Sequence, residues 1–471
     1  MAPALQFESE TTPRSASATM RPMPYLPIIV ALAIVAGTYW CSPNFIRQSG
    51  PDAPPYAGDL IHEWLGGYIV RHGDYSRFYH VPYAIELQHD PRLIGYQWKE
   101  SEYLPVVYPP FYYVLISPLS LLPVRVAAWV WGVLMVAAMA TVVGLLIRAN
   151  HRNEGCLTGW LTGSVDSSDK NSSDNSSDGL DPLTIRLWRE LAPWLLPIAM
   201  FYSPLLENLV SSQKGTVCLL ILTSTFLLLD ARRPFTAGLV FGLLAFKPQL
   251  TLVIAFAMLF KRQWRFVGGG ATTGAVLVAL SFALGSDVCR QFYAFSTGMA
   301  DYVYTQGYDL TKSHCLYGFF ALCFGLKYGN AVKVATLLSA AGLIAVLSYL
   351  LKGEIPYGRP RFALQFAGLV IATLLLSPHL FSYDLTMLLL PIFLLLVPRI
   401  RAAAPPALRN PMLWLTIGLF AAAGFSQDIA RAMHVQITTP LMVYLVIVLA
   451  RISIVQQRGS ISFTPLSPLS P

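Results

Sequence analysis

What most constrains this chain is the recurrence, from residue 25 almost to its end, of apolar runs about as long as a bilayer is thick. A spanning helix needs roughly 17 to 25 predominantly apolar residues. Runs near that length stand at 25–40, 124–147, 191–209, 215–230, 266–284, 331–351, 362–377, 384–398, 411–427 and 437–453. Two further segments are interrupted: 106–122 by prolines, and 234–260 by Lys247–Pro248–Gln249 at its centre. Together they predict an all-α polytopic membrane protein of about ten to thirteen transmembrane helices. Only 12% of residues are charged, about half the share of a soluble domain, so a soluble core is disfavoured.

The excess of basic residues orients the chain. The net charge of +8 reads as cytoplasmic loops obeying the positive-inside rule, and no nucleic-acid partner is expected. Arg232–Arg233, Lys261–Arg262 with Arg265, Lys352 with Arg359 and Arg361, and Arg399 with Arg401 each flank an apolar run, and are placed inside. Both flanks of 234–260 are then cytoplasmic, which predicts a broken hairpin with Lys247 near its outer apex. The same count makes 1–24 and 457–471 cytoplasmic tails around one membrane domain, 25–456. It also puts 41–105, 285–330, the turn Glu207–Gly215 and the stretch Ser377–Asp384 outside. With the N-terminus inside, parity fails at 106–122 unless that segment makes no net crossing. The segment 150–184 is low in complexity around Ser164–Asp181 and predicts a disordered loop. Six cysteines show no C-x-x-C spacing, so no metal or redox site is expected. Cys289 and Cys315 both fall in 285–330, where a disulfide could form.

Polar residues gather on the outer side by a count that used no functional argument. They are Asp59, His62 and Glu63, then Asn208 and Gln213, then Lys247 and Gln249, then His379, Tyr383 and Asp384. Ionisable groups at membrane depth are costly and usually line a cavity. Each also has a plainer role. Asp59 and Asp384 can cap helices, and Lys247 can snorkel to the headgroups or pair with Asp384. Soluble-enzyme motifs are absent: Gly66 stands where H-E-x-x-H needs its second histidine. Gly268–Gly270 lack the lysine of a phosphate loop and read as tight helix packing.

The segments "GDLIHEWLGGYIVRHGDYSRFY", "YPPFYYVLISPLSLLP", "SPLLENLVSSQKGTVCLLIL", "GLLAFKPQLTL" and "LLLSPHLFSYDLTMLLLP" carry a resemblance in their order and spacing. The chain resembles the polyprenol-phosphate-dependent membrane glycosyltransferases of the GT-C class, in the family 87 (DUF2029) group that includes mycobacterial phosphatidylinositol mannoside mannosyltransferases. The resemblance implies a GT-C-like helical bundle with a functional first outer loop, in which Asp59 is the general base. It implies substrate-binding roles for Glu63, Asn208, Gln213, Lys247, Gln249, His379, Tyr383 and Asp384. Ser212 replaces the usual glycine of the turn. No D-x-D stands in the first loop, so neither a metal nor any other cofactor is expected.

The implied reaction is inverting transfer of a sugar, mannose by the resemblance, from a polyprenyl-phosphate donor to a lipid or glycan acceptor. The protein would lie in the plasma (inner) membrane, among its lipids, with the active site on the outer face. Such chemistry needs a base for the acceptor hydroxyl and donors for the departing phosphate. The alternative is a lipid or solute transporter with a discontinuous helix at Lys247–Pro248.

Overall fold

The computed structural model describes residues 26–41, 58–94, 103–152, 188, 190–305 and 309–461. The N-terminal tail, residues 462–471 of the C-terminal tail, most of 150–184 and parts of 41–105 lie outside the described residues, while 457–461 continue the last helix. Among those described, the protein is helical, with one isolated antiparallel bridge between Ser313 and Phe381. Five helices are long and apolar enough to cross a membrane, and six shorter apolar helices accompany them. The chain is an all-α polytopic membrane protein.

The principal helices are α1 (Leu26–Cys41), α2 (Leu60–His72), α3 (Pro110–Ile116), α4 (Val124–Arg152), α5 (Ser203–Val210), α6 (Gly215–Asp230), α7 (Pro234–Gly242), α8 (Leu252–Phe260) and α9 (Trp264–Ala283). There follow α10 (Ser286–Thr305), α11 (Leu316–Phe324), α12 (Gly329–Leu350), α13 (Pro360–Leu376), α14 (Leu389–Leu396), α15 (Pro406–Met433) and α16 (Thr438–Ile461). The run 191–209 is not one helix, because Pro204 in the first turn of α5 cannot continue a helix arriving from Leu195–Met200. The run 384–398 likewise opens as a 3-10 segment, Ser382–Leu388, before α14. The segment 285–330 is largely helical, as α10 and α11. In α13 every residue from Phe362 to Leu375 is buried, as befits a helix that is apolar on all sides. It forms the centre of the bundle.

α4 and α6 run side by side in the same direction. Trp131 Nε1 donates to Ser212 O at 2.9 Å near their starts, and Leu146 and Ala149 share a cavity with Asp230 at their far ends. α6, with 16 residues, therefore separates two ends of the bundle by about 24 Å.

The broken hairpin forms. Pro234 and Arg265 line one cavity with residues 354–359, and Lys261 Nζ donates to Gly353 O at 2.7 Å. At the other end Lys247 reaches Asp384. Two 3-10 turns, Leu243–Phe246 and Pro248–Leu250, flank Lys247, since Pro248 has no N–H to carry the helix on. α7 and α9 pack backbone to backbone. A Cβ on Gly238 would lie 2.0 Å from Phe266 O, and one on Gly269 would lie 2.1 Å from Phe235 O. The tight packing expected of the glycine run is found, as a small-residue helix contact.

Both ends of the segment 106–122 lie at one end of the bundle. Phe111 N donates to the hydroxyl of Ser281 at 3.2 Å, near the end of α9 that lies away from the arginines. α4 starts on the same side, with Trp131 level with Ser212. The segment α3 with its 3-10 extension Ser117–Leu121 thus begins and finishes at one end and makes no net crossing. It runs alongside α2, where Gly67 admits the backbone of Ser117, a Cβ there lying 2.9 Å from Ser117 Cα. Trp64 Nε1 donates to Leu122 O at 2.9 Å and Arg71 to Ser120 O at 2.6 Å.

The expected Cys289–Cys315 disulfide is not formed, and both thiols are free. Cys315 is buried at the start of α11, where its sulfur accepts from Gly318 N and faces Pro378 O. Cys289 lies on α10, an element directed instead toward Tyr79 through Gln291 and Phe292.

Candidate active site

α2 opens at Asp59, a capping position at which the carboxylate makes no capping hydrogen bond. The side chain is therefore free for other partners, and the plain capping role considered for it does not apply. Gly58 brings Asp59 into place. Its φ of +49° lies in the left-handed region, and a Cβ there would stand 3.0 Å from Ser211 O, so both the angle and the close approach favour glycine. Asp59 N then donates to Ser211 O at 3.3 Å.

The opposing turn, from Asn208 to Gly215, is built around Ser212, which holds φ at 53°. A serine here adopts the conformation that glycine favours, at a cost on the order of 1 to 2 kcal/mol. The hydrogen bond from Trp131 to its carbonyl anchors it. Asn208 Oδ1 accepts from Gly215 N at 2.6 Å, and Gln213 N donates to Asn208 O at 2.8 Å. Gln213 thereby points its side-chain amide at Asp59, and its Nε2 donates to Asp59 Oδ2.

Two ion pairs flank this contact. Lys247 Nζ lies 2.7 Å from Asp384 Oδ1, and both residues are buried. Asp384 Oδ2 accepts from Phe381 N at 3.4 Å, so this acid also caps the 3-10 segment in which it sits. The ring of Tyr383 stands 5.5 Å from the ammonium, and its carbonyl crowds Gly215. The second pair joins Glu63, one turn after Asp59 on α2, to Lys214. Tyr112 donates to the other oxygen of Glu63. The Lys214 ammonium sits 4.2 Å from the Tyr108 ring centroid.

The predicted residues Asp59, Glu63, Asn208, Gln213, Lys247, Tyr383 and Asp384 are thus brought together, with Gln249 half-buried on the same helix break. His379 lies in the loop before Asp384, edge-on to Phe381 at 4.9 Å. Burial pushes its imidazole below the usual histidine range, against the pull of Asp384. Lys214, Tyr108 and Tyr112 were not among the predicted residues. A lysine that opens the apolar helix α6 against the helix dipole was the available signal. His62 is buried with neither ring nitrogen hydrogen-bonded among the described residues. Burial, reinforced by Lys214, holds it well below the usual range and hence neutral.

Of Asp59, Glu63 and Asp384, Asp59 alone lacks an ion-pair partner among the described residues. It is only half-buried. Desolvation raises its carboxyl above the ordinary range, opposed by Lys214 and by the Gln213 hydrogen bond, while Glu63 adds to the rise. A carboxylate poised in this way is chemically a base.

Fold and site together define a polytopic membrane protein that gathers two buried ion pairs and the partly accessible carboxylate of Asp59 at one end of its bundle, with a second such carboxylate, Glu207, nearby and accepting from Gln427 Nε2 at 3.3 Å. Residues 107–378 match glycosyltransferase family 87. That span exceeds half of the chain, and the protein belongs to glycosyltransferase family 87. Asp59, Glu63, His379, Tyr383 and Asp384 lie outside the matched span. The chain is also 22% identical over 303 residues to a polyprenol-phosphate-mannose-dependent alpha-(1-2)-phosphatidylinositol pentamannoside mannosyltransferase of Mycolicibacterium smegmatis, over 64% of this chain and 60% of that protein. It therefore spans less than two thirds of the length of this curated relative. No solved structure matches the chain.

Proposed function

We propose that the protein is a membrane glycosyltransferase that moves a sugar, taken as mannose, from a polyprenyl-phosphate donor to a lipid or glycan acceptor, with inversion at the anomeric carbon. The observation that carries this reading is Asp59, a carboxylate with no ion pair among the described residues, held half-accessible beside Gln213. Family membership supports the reaction class, and the polyprenol-phosphate-mannose dependence of the mycobacterial relative supports the donor.

Asp59 takes the proton of the acceptor hydroxyl as its oxygen attacks C1 of the sugar. The C1–O bond to phosphate breaks, and the electron pair leaves with the polyprenyl phosphate. Lys247 is the cation nearest to where that phosphate docks, and it exchanges part of its contact with Asp384 for the phosphate oxygens. The Lys214–Glu63 pair lies behind α2 and acts as a positioning group. Its ammonium helps to keep Asp59 ionised despite burial.

The clusters Arg232, Arg265, Arg359 and Arg361 mark the opposite end of α6, about 24 Å away. By the positive-inside rule this supports an outward-facing site, in the plasma membrane if the cell is bacterial.

The test incubates the purified protein with polyprenyl-phosphate mannose and a membrane lipid extract. Mannosylated lipid and free polyprenyl phosphate should form in equal amounts. Movement of a lipid across vesicles with neither product would instead establish a transporter.

A further inference from the structure

At the end of the bundle away from Asp59, a cavity of about 650 Å³ is lined by Arg232, Arg265, Arg359 and Arg361, with Glu354 as its one acid. Three helices begin at this cavity: α7 at Pro234, α9 at Trp264 and α13 at Pro360. None of the three has a side-chain cap or an acid in its first turn. Helix N-termini carry partial positive charge and favour anions. Arg265, Arg359 and Arg361 stand at the cap or in the first turn of α9 and α13, where the dipole opposes them.

Other basic residues, Lys261 at this same end included, do the reverse. Lys261 donates to Gly353 O, Arg71 to Ser120 O, and Arg409 to the carbonyls of Ala402 and Ala404. Those side chains satisfy carbonyl oxygens. Among the described residues the guanidinium groups of Arg232, Arg265 and Arg359 make no hydrogen bond or ion pair, while Arg361 donates to Lys352 O at 2.9 Å and to Ser453 Oγ at 3.3 Å and leaves its Nε buried without a partner. Local preference is thus broken repeatedly at one place, the pattern expected of a site. The large exposed side chains Phe235, Phe260 and Trp264 surround the same end, and exposed aromatics of this kind mark the membrane–water interface.

We infer that this cavity is a binding site for a phosphate-bearing anion, separate from the transfer site, and that its occupant is the headgroup of an anionic phospholipid. Planar guanidinium forks and free backbone N–H groups together can donate to the several acceptor oxygens of a tetrahedral phosphate. A lipid headgroup presents this chemistry at interface depth, which is where the exposed aromatics place the cavity. Free phosphate in solution shares the chemistry but not the location.

The experiment measures thermal unfolding of the detergent-solubilised protein against added phosphatidylglycerol, phosphatidylcholine or inorganic phosphate, with native mass spectrometry of retained lipid. Phosphatidylglycerol should raise the melting temperature and remain bound, with phosphatidylcholine inert. Removing one guanidinium, as Arg265→Gln or Arg359→Gln, should weaken binding about fivefold. Glu354→Gln, which removes the only repelling acid, should tighten it, and this variant keeps the test decisive if an arginine variant does not fold. Stabilisation by inorganic phosphate equal to that by phosphatidylglycerol would overturn the lipid assignment and leave a soluble-anion site. No stabilisation by either anion, or equal stabilisation of the arginine variants, would overturn the site altogether.

Discussion

The two ends of the bundle handle charge in opposite ways. At the Asp59 end, Lys214 and Lys247 are both buried and each is matched to an acid. At the other end, four arginines face one acid across an open cavity. Burial explains the difference. An ammonium removed from water costs several kcal/mol unless paired, whereas the guanidinium groups of the cavity stay open to water and to an incoming anion. The acids without an ion pair among the described residues, Asp59 and Glu207, are therefore the exceptions at that end.

The contrast is broken most severely by removing one member of the fully buried pair. Lys214→Met should destabilise the protein by about 3 to 5 kcal/mol, because Glu63 is left charged and buried. The double variant Glu63→Gln with Lys214→Met should regain most of that loss, as read by thermal unfolding in detergent. If the single and double variants melt alike, the pair carries no coupling. Next in size, Asp59→Asn should leave melting unchanged and cost on the order of 100-fold in transfer, the scale of a lost general base. Activity within a few-fold of the parent would move the role to Glu63.

Lys247→Gln should raise the apparent KM for donor about tenfold and also lower kcat, since charge grows on the phosphate as the sugar leaves. Lys247→Arg should recover part of both, as measured by donor titration at saturating acceptor. A smaller effect sharpens the electrostatic reading. Transfer needs Asp59 ionised, so its acid limb should lie above the ordinary carboxylate range. Gln213→Leu removes a hydrogen bond that favours the charged form, and the limb should move to higher pH. A limb that stays fixed would separate Asp59 from the titration. Smallest of all, Ser212→Gly should raise stability by up to about 1 kcal/mol, with no change in donor dependence.

Much of this was legible in the sequence. The apolar runs and the arginine clusters gave the bundle, the broken hairpin and the convergence of Asp59, Gln213, Lys247 and Asp384, because hydrophobic length and side-specific charge are local properties of the chain. Pairing is not local. Which acid meets Lys247, and that Lys214 is buried at all, depend on contacts 137 and 151 residues apart in sequence. The helices of 285–330 escaped for another reason. α10 mixes charged and apolar residues along its length, so a search for continuous apolar runs passes over it. The disulfide expectation failed because sharing one loop says nothing about facing each other.

The 137 residues between Lys247 and Asp384 have a consequence for how the protein is made. At roughly 5 to 20 residues per second, the ribosome needs on the order of 7 to 27 s after Lys247 to deliver its carboxylate partner. During that interval the hairpin 234–260 has to be inserted carrying a lone ammonium at its apex. Its two limbs are too short to be threaded singly, and the glycine contact between α7 and α9 lets the first limb dock as soon as Trp264–Ala283 emerges. The first limb of the hairpin is thus packed against α9 long before the counter-charge of Lys247 exists. Slowing translation downstream of α9 should lengthen this stage and expose the intermediate to membrane proteases.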